Sequence, residues 1–223
     1  MITPRRSRER GHANHGWLDA RHTFSFAGYF DPRHMGFSEL RVLNQDVVQP
    51  GQGFGTHGHE SMEIVTYVLR GVLEHRDSLG TGSQMRNGEV QYMKAGSGVR
   101  HSEFNASEDE ELELLQMWVL PAEEGGTPRY DQREFPVAER RGTLRLVASP
   151  DGRDGSIRID QDARMYAGLF RDGEAHTQAL GAGRRAWVVD SRRAPPARSS
   201  DRSSAERSTR STSRSCAVTS TPR

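Results

Sequence analysis

The sequence predicts an all-β fold, a sandwich or barrel of short strands. Apolar runs are brief and recur at residues 37–44, 63–70, 89–94, 112–120, 143–148 and 186–189. Gly, Pro, Asn and Asp punctuate the ends of these runs, as strand-to-strand turns require. Helix signals are scarce along the chain.

Each stretch has its place in that scheme. Residues 51–55 and 80–82 are Gly-rich and read as loop punctuation. The polar stretch 121–136 holds Gly125, Gly126 and Pro128 and reads as a link between two β units. The first unit then covers 1–135 and the second 136–189. In the second unit, strands are expected at 144–148, 156–159 and 163–170, with Ser149-Pro150-Asp151-Gly152 as a turn. Residues 173–187 supply a further pair. From Asp190 the chain is mostly Ser, Arg, Pro and Ala, with almost nothing to bury. Such a segment cannot offset the entropy of ordering, so 190–223 is expected to be disordered.

Charge follows the same division. The 223 residues carry a formal +1, but eight of 31 basic and three of 30 acidic residues lie after residue 189. The body is therefore near −4, without the basic excess that marks a nucleic-acid binder. The single cysteine, Cys216, rules out a disulfide within the chain and a cysteine-ligated zinc site. No apolar run has the length of a signal peptide or a membrane span. A soluble, cytoplasmic protein is expected.

The chemistry concentrates in two short motifs. Residues i and i+2 of a strand point to one face. His57-Gly58-His59 thus aims two imidazoles at one point, and His101-Ser102-Glu103 repeats the spacing. A lone His-x-His is usually a packing or surface accident. Two such pairs on adjacent strands supply three nitrogens and one oxygen, a set that suits a mononuclear transition metal with open positions. His12, His15, His22, His34, His75 and His176 lack such pairing and are expected to be structural or exposed. Glu63 is a second carboxylate candidate, because it can share a face with the histidines; it reads equally as a residue orienting a ligand or as a solvent-facing strand residue.

The spacing Gly51, His57-x-His59, Glu63, Gly71 resembles the first cupin motif, with one extra residue before the last glycine. Gly88, Gly98, His101 and Asn105 resemble the second, with a longer run after Gly88 and Gly96 near the usual proline position. Longer matches are more specific. Residues 16–26 (GWLDARHTFSF), 53–59 (GFGTHGH) and 95–105 (AGSGVRHSEFN) resemble the pirin family, and the likeness continues to about Trp187. This resemblance implies a bicupin of two β-barrels with one metal in the first. It places the ligands on His57, His59, His101 and Glu103, and so favours Glu103 over Glu63. It also implies a quercetin 2,3-dioxygenase activity with a flavonol and O₂ as substrates. Fe(II) is the expected metal, and Glu103 is expected to take the flavonol 3-hydroxyl proton. The rival class is a non-catalytic, iron-binding regulator that docks on another protein.

The resemblance stops at Val189, where a pirin would continue with further strands. A frameshift in a GC-rich gene produces this kind of Ser/Arg/Pro/Ala text, so the second barrel is expected to be incomplete. Its unpaired edges would favour self-association.

Overall fold

The computed structural model describes residues 3–191 and, as backbone, the strand at 214–221. The first unit contains β1 (Gly11–Asn14), β2 (Leu18–His22), β3 (Leu40–Val48), β4 (Gly53–His59), β5 (Glu63–Arg70) and β6 (Val72–Asp77). It continues through β7 (Gly82–Arg86), β8 (Glu89–Lys94), β9 (Val99–Asn105), β10 (Leu112–Val119) and β11 (Arg129–Glu134). A single turn of helix, α1 (Val137–Arg140), leads to β12 (Arg145–Ser149), β13 (Ile157–Arg158), β14 (Arg164–Phe170), β15 (Arg185–Asp190) and β16 (Arg214–Thr221).

These strands form three sheets. A seven-stranded sheet has the order β1-β2-β3-β10-β5-β8-β11. A four-stranded sheet, β4-β9-β6-β7, covers one of its faces, and a five-stranded sheet, β13-β12-β14-β16-β15, covers the other. Sequence alternation sorts the side chains. On β5, Val65 and Tyr67 join the large cluster with Val147, Met165 and Ala167 of the C-terminal sheet. Ile64 and Val68, one residue off, face the clusters inside the first unit. A strand covered on both faces must be apolar at nearly every position, which is why β5 reads as a continuous run.

Several expectations need correction. The polar stretch 121–136 is not a plain linker: β11 pairs along its length with β8 and forms one edge of the largest sheet. The 51–55 loop gives way to β4 from Gly53 onward. Residues 173–187 contribute only the start of β15, not a pair. Within the segment expected to be disordered, Asp190 ends β15 and residues 214–221 pair antiparallel with both β14 and β15. The sequence there includes Val218, Thr219 and Thr221, β-branched residues that suit a strand. The remainder of that expected tail, 192–213 and 222–223, falls outside the described residues. Among the described residues no helix is long and apolar enough to cross a membrane.

Close approach of β4 to β9 positions the histidines, and one glycine permits it. A Cβ on Gly53 would lie 2.3 Å from the backbone oxygen of Glu103 and 2.5 Å from the Cα of Phe104. Backbone atoms in a paired strand cannot step aside. Gly53→Ala is predicted to destabilise the protein by about 1–3 kcal/mol, the usual cost of overpacking. A urea titration reads this directly; an unchanged midpoint would mean that β4 is not held against β9.

Candidate metal centre

Strand β9 lies between β4 and β6, and its alternation is strict. Val99, His101, Glu103 and Asn105 are buried, while Arg100 and Phe104 are exposed. Register sets the neighbours. His57 on β4 faces His101, and on β6 His75 faces Glu103 and Asp77 faces His101. A bulge between Phe54 and His57 adjusts β4 just before its two histidines.

The three imidazoles converge. Ring centroids are 4.8 Å apart for His57 and His59, 4.4 Å for His57 and His101, and 4.9 Å for His59 and His101. One nitrogen from each lies within 4.8 Å of the others. The nitrogens are in the right state for a metal. His57 Nδ1 lies 2.8 Å from the Gly55 carbonyl, which only accepts, so Nδ1 carries the proton and Nε2 keeps its lone pair. His101 Nε2 is buried with no hydrogen-bond partner among the described residues. Such an orphaned nitrogen is costly in an apolar interior and is accounted for by a cation. This donor set fits a divalent transition metal.

Electrostatics agree. Burial, and then the nearby His57, lowers the His59 pKa to about 4. Burial, followed by repulsion from His57, His59 and His75, lowers that of His101 to about 2. Both rings are therefore neutral near neutral pH and able to bind metal without first losing a proton.

Glu103 is buried and held from the opposite sheet. Gln91 Nε2 donates to one carboxylate oxygen at 3.1 Å, and Gln116 Nε2 donates to the other at 2.8 Å. These glutamines belong to a polar row that crosses the largest sheet in register: His22, Asn44, Gln116, Thr66, Gln91 and Gln132. Asp46, on the same strand as Asn44, is buried, and its Oδ1 has no partner among the described residues. Burial, then the charge of Glu103, raises its pKa to about 7. Beside the histidines stands an aromatic wall. Trp118 meets His59 edge-on at 4.8 Å and Phe26 at 5.2 Å, and its Nε1 donates to Gln116 Oε1 at 3.0 Å.

The structure separates the two carboxylate candidates. Glu63 is buried, but on the other face of the largest sheet, beside Val65 and Tyr67. It accepts hydrogen bonds from Tyr92 Oη at 2.6 Å and from the backbone N–H groups of Asp160 and Gln161 at 2.7 and 2.8 Å. Burial pushes its carboxyl up, and these donors hold part of that rise back. Glu63 therefore ties the two units together; it neither orients a metal ligand nor faces solvent.

His75 is one of the histidines expected to be structural or exposed. It is buried, belongs to a group with His101 and Glu103, and stacks on Tyr130 at 4.8 Å. Two further residues of the site, Gln91 and Gln116, were missed by sequence reasoning. Their signal was a polar residue at even spacing inside an apolar strand, and only pairing shows which sheet face it occupies.

Comparison with known proteins decides the family. Residues 3–119 match the pirin model, and residues 146–192 match the quercetinase C-terminal cupin domain. The chain belongs to the pirin family. Among pirin relatives, a quercetin 2,3-dioxygenase of Escherichia coli K12 is 53% identical over 188 residues, covering 84% of this chain and 80% of that one. A pirin-like protein of Caulobacter vibrioides is 42% identical over 180 residues, covering 80% and 77% of the two chains. The bacterial pirin YhhW of Escherichia coli, solved in complex with nickel(II), superposes with a TM-score of 0.83 at 42% identity, covering 98% of this chain and 97% of that one. The pirin fold thus accounts for both units.

The lowered histidines give a pH signature in the metal-free protein. The unfolded chain takes up protons as pH falls below the ordinary histidine value of 6.5, whereas folded His59 does so only near 4. At His59 and His101 the unfolded state then binds more protons, which outweighs the opposing contribution of Asp46, so stability should fall as pH drops from about 6.5 toward 4. The denaturation midpoint should decline over this window in the wild type. The decline should be smaller in His101→Gln, which removes one of the two neutral rings.

Proposed function

We propose that this pirin is a metal-dependent dioxygenase that cleaves flavonols such as quercetin with O₂. One divalent metal, Fe(II) in the first instance, is held by His57, His59, His101 and Glu103. The observation that carries this reading is the convergence of the three imidazoles of His57, His59 and His101, with His101 Nε2 buried and unpartnered among the described residues. The identity of 53% to a quercetin 2,3-dioxygenase supplies the reaction class.

When bound, the metal supplies Lewis acidity that lowers the pKa of a coordinated hydroxyl. The protein's own groups do the rest. Glu103, steadied by Gln91 and Gln116, accepts the 3-hydroxyl proton on a remaining carboxylate lone pair. Trp118 and Phe26 present flat apolar surface beside His59, a wall suited to a planar aromatic ring. The hydrogen bond from Trp118 to Gln116 ties that wall to the carboxylate support, so substrate seating and proton acceptance share one framework.

Oxygen uptake with quercetin tests the proposal on iron-loaded protein. Glu103→Gln should lose turnover by about 10²-fold or more, the scale of a removed general base. Glu63→Gln, on the far face of the sheet, should keep its rate within a few-fold while lowering stability. The reverse order would hand the base to Glu63. No turnover with any flavonol in protein shown to hold iron would favour a protein-binding regulator.

A further inference from the structure

His75 and Asp77 form a buried chain that ends on His101. Both side chains are fully buried. His75 Nε2 lies 2.9 Å from Asp77 Oδ2, and the other ring nitrogen, Nδ1, faces His101 Nδ1 at 3.5 Å. Asp77 is anchored independently: its Oδ1 accepts the backbone N–H groups of Leu79 at 2.9 Å and Thr81 at 3.0 Å. Those bonds turn Oδ2 toward the ring.

Proton accounting along this chain has one solution with neutral rings. An ionised carboxylate only accepts, so His75 carries its proton on Nε2 and leaves a lone pair on Nδ1. Two lone pairs cannot face each other across 3.5 Å in a dry interior. The proton between the rings must therefore sit on His101 Nδ1, which leaves the lone pair of His101 on Nε2. That is the nitrogen without a hydrogen-bond partner among the described residues. We propose that Asp77, acting through His75, sets the tautomer of His101 and so makes its Nε2 a metal-binding atom. His75 and Asp77 are positioning residues here, and the inference rests on the metal reading of His57, His59 and His101 given above.

Register supports the assignment. β6 lies antiparallel to β9, which places His75 opposite Glu103 and Asp77 opposite His101. Tyr130 stacks on His75 with an interplanar angle of 29° and holds the ring plane. Ser83 Oγ, 2.6 Å from Tyr130 Oη, fixes that tyrosine in turn. The competing role for His75 is direct ligation, because one of its nitrogens lies within 4.8 Å of donors from His101 and Glu103.

Asp77→Asn separates these roles. The amide oxygen can keep both backbone N–H bonds, so the turn survives and the NH₂ group faces His75. A donor in that place reverses every proton along the chain and puts one on His101 Nε2. Metal-free protein labelled with ¹⁵N-histidine should show His101 Nε2 as an unprotonated nitrogen in the wild type and as a protonated one in Asp77→Asn. Titration with Ni(II) should show affinity weaker by about 10–100-fold in Asp77→Asn, the usual effect of removing a ligand's supporting partner. His75→Phe, which keeps an aromatic ring against Tyr130, should lose a similar factor. Unchanged ¹⁵N signals and affinity in Asp77→Asn would overturn the relay. Loss of all metal in His75→Phe, matching His57→Ala, would make His75 a ligand and overturn it too. Wild-type protein that bound no Ni(II) would defeat the metal reading instead, while the ¹⁵N spectra would still decide which nitrogen of His101 carries the proton.

Discussion

The seven-stranded sheet is sandwiched between the histidine-bearing sheet and the C-terminal sheet, and this double burial constrains the rest of the molecule. Covered on both faces, its strands β3, β8 and β10 have no exposed position. Its C-terminal face is filled by Val65, Tyr67, Tyr92, Leu115 and Met117 against Val147, Met165 and Ala167. Its inner face carries apolar clusters above and below one polar row. Most buried polar groups are partnered, and Gln91 and Gln116 find their partner in Glu103. The largest sheet therefore both supports the fold and grips one group of the site.

The same burial sets the chemical state of the histidines. Taking charge away from water disfavours imidazolium. His59 and His101 are pushed toward neutrality chiefly by burial, with neighbouring histidines adding to it. Neutral rings with directed lone pairs are what a metal requires. Backbone and carboxylate acceptors then choose which nitrogen is free: the Gly55 carbonyl for His57, and Asp77 by way of His75 for His101. Local hydrogen bonding thus completes what burial begins.

Glu63 shows how closely the two units depend on each other. Its carboxylate receives one side-chain hydroxyl from the first unit and two backbone donors from the second. Lys94 and Arg129 add ion pairs to Asp160 in the same segment, at 2.6 and 3.2 Å. These contacts set the second unit against the sheet that carries the polar row. The C-terminal sheet is therefore part of the support of the first unit's core, even though the histidine cluster lies wholly in the first unit.

The all-β class, the strands at Glu63–Arg70 and Glu89–Lys94, and the two i, i+2 motifs were all legible in the sequence. Each depends on local alternation and turn chemistry, which a short stretch of chain expresses by itself. The motifs pointed to His57, His59, His101 and Glu103 because a strand's period alone places each pair on one face. Local pattern could not say which face meets which sheet. That choice separated Glu63 from the histidines, brought His75 and Asp77 to His101, and set Gln91 and Gln116 against Glu103. It also turned the polar stretch around Arg129–Glu134 into an edge strand and gave Arg214–Thr221 a place between β14 and β15. Pairing partners lie far apart along the chain, and only their registers in the folded sheets determine which side chains meet.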